Sequence, residues 1–548
     1  MRTSCGGTAS TLLEAPRHAL SPTKNFASSI FKLTSKLQTC TPLPESQSSY
    51  RQLLKATSLI GGAQGINLLL GMVRVKFAAL LIGPHGVGLS GSFTTIQGLV
   101  SSVANLGIHS GAIREIAQAH ASCHDARMAA LAKALRRLCL VTGLIGAAAL
   151  AAISPWLSEW TFGSNAHGVD VAILAIAVLF VALQAASTAL LQGSRHVADV
   201  ARVSIVGSIS STVLSIPAYY FFGVDGIAPV IALNALVVFA ASSWRARNIG
   251  RSAEKHSWSE SLRVLAPAIK LGLVFVWTGL LATAVTYMVQ TIIIGRYGLA
   301  GVGLFTAAFA LSSMFSNFVL SSMESDFYPR LAAAAPDSAK LCQTINHQIE
   351  IGLLLALPGV LGTLVFAPWL LHVFYSKEFV DSAPLLTWFV LGNLLRFVCE
   401  PIAYLLLALD KRRWAMINVT SSSAVRLFLS WVCLLKFGLV GAAVAHFALY
   451  SLYSLAMVLV GRYLVDFKFS NPVRRLLVAV CLTVLLFLLL SFLDSSPSIE
   501  MVRAVLFAFV ALACGRALVR RVGLADRFAT RLLKARFVRA ILGAEDKT

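Results

Sequence analysis

Apolar runs separated by short polar gaps occupy most of the chain. A bilayer-spanning helix needs about 20 such residues. Fourteen runs qualify: 53–82, 87–112, 134–153, 169–191, 200–222, 226–244, 266–294, 301–323, 346–366, 383–409, 414–435, 439–461, 476–493 and 500–519. Residues 1–50 contain none and are Ser-, Thr- and Pro-containing and mildly basic. With no apolar core for a signal peptide, they read as a disordered cytoplasmic tail.

The pattern repeats. Gly86-Val87-Gly88-Leu89 returns as Gly301-Val302-Gly303-Leu304, an offset of 215 (301 minus 86). The same offset maps Phe222-Gly223 onto Phe437-Gly438, Gly226 onto Gly441 and Lys55 onto Lys270. Ser154-Pro155-Trp156-Leu157 finds Ala367-Pro368-Trp369-Leu370 at an offset of 213. Several matches in one order indicate internal duplication. The offset spans six helices, an even number, so both halves enter the membrane in the same sense and a pseudo-twofold axis along the membrane normal is expected. The expected fold is an all-α polytopic membrane protein: two parallel-repeat six-helix bundles around a central cavity, plus about two C-terminal helices, twelve to fourteen spans in all. The domains are then 1–50, 51–250, 264–465, 476–519 and a basic tail at 520–548. Residues 520–540 are expected to lie on the anionic inner leaflet.

Composition agrees. The chain of 548 residues is 57% hydrophobic and 13% charged, where soluble domains carry about a quarter charged. Mean hydropathy is +0.76. The net charge of +22 lies in the gaps. With the N-terminus inside, cytoplasmic gaps collect Arg127, Arg136, Arg195, Arg245, Lys411 and Lys468, while outer gaps hold little beyond Arg296, Lys377 and Lys436. That bias fits the positive-inside rule, with both termini cytoplasmic. It leaves no basic stripe for nucleic acid. The nine cysteines are scattered, without CxxC or a Cys/His cluster, so neither a disulfide framework nor a metal site is expected.

The candidate chemistry is the set of ionisable groups at membrane depth. Each costs about 2.5–3.5 kcal/mol at a helix centre on insertion scales, so it seeks a partner or a water-filled cavity. Arg396 lies mid-helix with Glu400 four residues on, beside Pro401, and Arg426 falls at similar depth on the next helix. At the repeat offset their counterparts in the first half are Val181, Ala185 and Ser211, so the cations belong to one half alone. Two readings stand: a cationic site for an anionic ligand, or a local fastening of two helices. Arg74 and Lys76 lie in the outer half of the first run, opposite Val289 and Thr291 in the copy. They point about 200° apart at 100° per residue, so one faces a cavity, for which Arg74 is the deeper choice, or both reach for the surface. Glu350 is a second acid available for coupling, with H+ or Na+ as the coupling ion and no other cofactor. Asn67, Gln97, Gln290 and Asn317 are polar candidates for a cavity lining suited to sugar hydroxyls, or for interhelical bonds. No Walker A sequence occurs, no long outer loop could hold a catalytic domain, and His109, His347 and His446 lack metal spacing. A transporter rather than an enzyme is expected.

The stretch LLKATSLIGGAQGINLLLGMVRVKFAALLIGPHGVGLSGSFTTIQ, with its Gly-Pro-x-Gly-Val-Gly-Leu turn and a following helix ending Ile-Arg-Glu, resembles the Wzx-type O-antigen translocases and the related enterobacterial-common-antigen lipid III flippases. These belong to the multidrug/oligosaccharidyl-lipid/polysaccharide exporter superfamily. The resemblance covers 51–475; the N-terminal tail and the last two helices depart from it. It implies flipping of an undecaprenyl-pyrophosphate-linked oligosaccharide from the inner to the outer leaflet of the bacterial cytoplasmic membrane by alternating access. Arg74, Lys76, Arg396 and Arg426 would receive the pyrophosphate and Glu400 would serve as counter-ion. The implied partners are membrane lipids, a polysaccharide polymerase and a chain-length regulator, and the implied state is a monomer. A cation-coupled multidrug antiporter, a peptidoglycan lipid II flippase and, from another class, a membrane polysaccharide polymerase or ligase remain the alternatives.

Overall fold

The computed structural model describes residues 48–105, 107–122, 125–249, 258–492 and 497–522. By internal contacts the chain divides into Met1–Ser58 and Leu59–Thr548, and the account below concerns the second unit. Most of the expected N-terminal tail, the greater part of the basic C-terminal tail, and the side chains of Lys55 and Lys270 lie outside the described residues.

Ten segments among the described residues are apolar and long enough to cross a membrane. Four of them, Gly61–Ala104, Val197–Ala246, Val276–Met314 and Arg413–Val465, are about twice the length one crossing needs. Each is broken by a glycine with positive φ: Gly83, Gly223, Gly298 and Gly438. Fourteen crossings result among the described residues. At Gly83 the backbone is at φ 62°, ψ −169°, and at Gly298 at φ 66°, ψ −176°. Both values lie where a Cβ is not tolerated, so only glycine turns a helix back so sharply. Pro84 then starts the returning limb, where a missing N–H does no harm.

The helices are α1 (Ser48–Ala104, broken at Gly83), α2 (Ile108–Ala121), α3 (Asp125–Phe162), α4 (Gly168–Gly193), α5 (Val197–Phe222), α6 (Ile227–Ala246), α7 (Trp258–Ala334, broken at Gly298), α8 (Ser338–Phe374), α9 (Ala383–Ala408), α10 (Arg412–Phe437), α11 (Gly441–Val465), α12 (Asn471–Phe492) and α13 (Pro497–Val522). Asp337 caps α8, accepting from the amides of Ala339 at 3.0 Å and Lys340 at 3.2 Å. Chiefly the Lys340 amide holds this carboxyl below its ordinary range. The turns at Gly83, Gly163, Gly223, Gly298 and Gly438 share one face, here the glycine face. The opposite, basic face carries Arg127, Arg136, Arg195, Arg245 and Lys411.

The duplication has a backbone signature. Gly83 and Gly298 stand at the repeat offset, as do Gly223 and Gly438. So do Arg195 (φ 60°) and Asp410 (φ 52°), left-handed although neither is glycine. Helices α3 to α6 pack chiefly on one another, and α9 chiefly on α7, α8 and α11. The second bundle holds the largest core, around Phe389, Phe397 and Leu405. Helices α12 and α13 lean on α8: Arg503 donates to the Leu364 carbonyl at 3.0 Å, Phe507 meets Phe366 edge to face at 5.9 Å, and Arg521 pairs with Glu350.

Near the glycine face the bundles touch. A side-chain carbon at Gly88 would overlap the Leu299 carbonyl, and one at Gly303 would overlap the Pro84 carbonyl. Thr161 and Tyr287 hydroxyls meet at 2.5 Å, and Lys76 donates to the His372 carbonyl at 2.8 Å.

Candidate functional site

Two polar regions lie within the helices. The first is in the second bundle, on α9, α10 and α11. Arg396 points its Nε at Glu400 Oε1 across 2.7 Å, its Nη1 at Asn317 Oδ1 across 3.2 Å, and lies over the Tyr450 ring at 5.8 Å. Arg396 and Glu400 keep only 19% and 21% of their side-chain surface, so each needs the other. Arg426 is close enough to Arg396, Tyr450 and His446 for its charge to act on all three. Yet among the described residues it has no carboxylate within 4.0 Å and no hydrogen-bond partner. Among the described residues, two guanidiniums thus face one carboxylate, and their balance is cationic.

Beneath them runs a buried polar chain. Asn393 donates to Ser312 at 3.3 Å and faces a ring nitrogen of His446 at 3.3 Å. The His446 ring lies 4.8 Å from Tyr450. His446, which sequence spacing left isolated, therefore belongs to the cationic cluster. Its signal was available: His446, Tyr450 and Tyr453 recur at helical spacing and share one face of α11.

The second region opens into two adjoining cavities, of about 370 Å³ and 610 Å³. Arg74, Gln184, Ser211 and Asn234 line both. Arg74 donates to the Ser211 hydroxyl. In the smaller cavity Asn67 donates to Ser204 at 2.7 Å and accepts from Ser208 at 2.8 Å, while Ser210 donates to Asn234 at 2.7 Å. Ser204, Ser208, Ser211 and Ser215 follow one face of α5, a stripe that composition masks and helical period reveals.

Ser211 is the counterpart of Arg426. In the second bundle the guanidinium grows from that position on α10. In the first, the serine at that position receives the guanidinium of Arg74 from α1. The copies bring one cation to the same place by different routes, and Val289, the counterpart of Arg74, supplies none.

The other sequence candidates separate. Gln97 and Gln290 line the larger cavity and Asn67 the smaller one. Asn317 serves Arg396. Lys76 lines neither cavity and is taken up by His372 at the seam. Glu350, 6% exposed, is held by Arg521. No group of three or more His, Cys, Asp or Glu side chains capable of holding a metal occurs among the described residues.

A model of the family described as polysaccharide biosynthesis protein matches residues 78–384. The chain belongs to this family. Among relatives of the chain, the lipid III flippases of Escherichia coli (strain K12) and Shigella flexneri are each 24% identical over 410 residues, covering 73% of this chain and 96% of the relative. Among solved structures, an inward-facing multidrug resistance MATE family transporter of the MOP superfamily gives a TM-score of 0.62 at 18% identity, over 74% of this chain and 94% of that one. Lipid II flippase MurJ, in an inward closed conformation, also gives 0.62, at 13% identity over 85% and 99%. These likenesses establish the fold, which drug transporters and lipid flippases share. Function rests on the side chains.

Proposed function

We propose that the chain is a flippase that carries a polyprenyl-pyrophosphate-linked oligosaccharide from the inner to the outer leaflet of the bacterial cytoplasmic membrane, the basic face being cytoplasmic. The observation that carries this is Arg426: a guanidinium at membrane depth, without a carboxylate of its own among the described residues, beside a second guanidinium. A charge so placed is costly unless it is paired or bathed by water. Pyrophosphate supplies acceptor oxygens only, and arginine supplies donors only, in a fork that matches them. Arg74 offers a further cation facing the cavities. The names of the relatives, both lipid III flippases, point the same way.

The antiporter reading requires an acid free to meet a cationic drug or a coupling ion. Glu400 is held by Arg396 and Glu350 by Arg521, and among the described residues the cluster carries excess positive charge. Transport needs no covalent chemistry. The headgroup loads into the polar interior, the prenyl tail stays in lipid, and the bundles rock about the glycine-face seam. A polymerase and chain-length regulator would take the product on the far side.

The test is genetic and direct. Arg396→Gln and Arg426→Gln should each abolish surface polysaccharide while protein abundance is unchanged, and Arg426→Lys should restore part of it. Normal polysaccharide in both glutamine variants would overturn the reading.

A further inference from the structure

The larger cavity differs in kind from the arginine cluster. Among the described residues its lining contains a single charged side chain, Arg74, whose guanidinium engages Ser211. The rest of the polar lining consists of hydroxyls and amides from both bundles, among them Ser90, Gln97, Gln184 and Asn234 on one side and Gln290 and Thr306 on the other. Its volume of about 610 Å³ falls within the usual range for small-molecule sites, about 300–1,000 Å³.

Two atoms in that lining have no protein partner. Gln290 is 5% exposed, and its Oε1 is buried without a hydrogen bond, as is Oγ1 of Thr306. Buried polar atoms are normally bonded, so orphans beside a cavity point to a ligand. The kind of ligand follows from the orphan's chemistry. An amide oxygen only accepts, so it needs a donor. Phosphate oxygens bring none and are turned away; a sugar ring brings several hydroxyls. The duplication sharpens this. The counterparts of Gln290 and Thr306 are Val75 and Gly91, which also line the cavity and offer no side-chain polar atom. Among the described lining residues the buried, unpartnered atoms are therefore on one side only, which favours one orientation of a ligand.

We infer that Gln290 and Thr306 form a subsite for a neutral, hydroxyl-bearing sugar of the headgroup, and that this subsite, distinct from the arginine cluster, determines specificity. The inference rests on the flippase reading for the identity of the substrate. The interior then sorts the headgroup by hydrogen-bond polarity: acceptor-only phosphate goes to donor-only arginines, and sugar hydroxyls, which both donate and accept, go to the acceptor Gln290 Oε1 and to the Thr306 hydroxyl, which can do either.

The experiment uses the purified full-length protein in lipid nanodiscs and two probes, undecaprenyl pyrophosphate and undecaprenyl-pyrophosphoryl-hexose. Wild type should bind the hexose-bearing lipid about tenfold more tightly, equivalent to about 1.4 kcal/mol. Gln290→Met and Thr306→Val should each remove several-fold of that advantage and leave the bare lipid unaffected. Thr306→Val is nearly isosteric and carries the test if Gln290→Met lowers the melting temperature. Arg426→Gln should weaken both probes alike. The subsite is overturned if wild type binds both probes equally, if both variants keep the hexose advantage, or if they weaken both probes to the same degree. Unchanged binding of both probes by Arg426→Gln would instead overturn the flippase reading, while a hexose advantage lost in Gln290→Met would still stand.

Discussion

Gly88 and Gly303 perform one task from opposite sides. Gly88 presses on the Leu299 backbone, and Gly303, its own repeat counterpart, presses on Pro84, the counterpart of Leu299. Residue i meets j while the partner of j meets the partner of i, the rule for a contact on a twofold axis, here met within one chain. Such reciprocity is what the axis expected from repeated letters requires.

Because backbone lies on both sides of that contact, an added methyl has nowhere to go. Gly88→Ala and Gly303→Ala should each lower stability by about 1–3 kcal/mol, the ordinary range for overpacking. Thermal unfolding of the purified variants is the check. The two losses should be similar, and a silent substitution at either position would contradict the reciprocity.

The Arg396–Glu400 pair should show coupling. Glu400→Gln leaves Arg396 with Asn317 and the Tyr450 ring but no carboxylate among the described residues. The side chains keep about a fifth of their surface, so the loss should be about 1–2 kcal/mol, below the roughly 3–5 kcal/mol of a fully buried pair. A double-mutant cycle with Arg396→Met measures the interaction directly. Additive losses would mean that the two side chains are neighbours without being partners.

Helix α13, the last among the described residues, is fastened where Arg521 reaches the buried Glu350. Arg521→Ala should strand that carboxylate and release the end of α13, making it more sensitive to protease. Adding Glu350→Gln should recover most of the loss, because the stranded charge is gone. If the double variant is as weak as Arg521→Ala, attachment rests on Arg503 and Phe507 instead.

The seam at the glycine face should act as a gate. Tyr287→Phe and Thr161→Val each remove the hydroxyl contact between α3 and α7, and Lys76→Met removes the bond to His372. Each should increase several-fold the rate at which a cysteine at Asn234 reacts with an impermeant thiol reagent supplied on that face. Unchanged rates in all three would place the gate elsewhere.

The crossings and their reversals were legible in the primary structure because each rests on a local rule. Hydropathy marks a crossing, Gly-Pro marks a reversal, and the offset marks which charges the copy lacks. Partnerships were less legible. Arg396 and Glu400 share a helix face and could be paired in advance. Glu350 sits beside no basic residue in sequence, and Arg521 finds it only because α13 folds back onto α8. Helical spacing puts Lys76 nearly on the far side of α1 from Arg74, and the structure shows which is turned inward: Arg74 lines the cavities and Lys76 the seam. The serine stripe on α5 and the His446–Tyr450–Tyr453 face were written at helical period but in residue types common throughout the chain. Period alone does not tell a stripe that lines a cavity from one that packs.

The left-handed glycines also bear on how such a chain is made. Gly61–Ala104 and its three counterparts each leave the ribosome as two crossings joined by a turn rather than a loop. Almost nothing hydrophilic must be pushed through the bilayer to complete either crossing, so the helical hairpin, not the single helix, is the natural unit of membrane insertion. With the basic face cytoplasmic, as proposed, a bulky polar epitope spliced in at Gly83 would turn that easy passage into an obstacle, whereas the same epitope at Ser122, between basic clusters on the opposite face, would not have to cross.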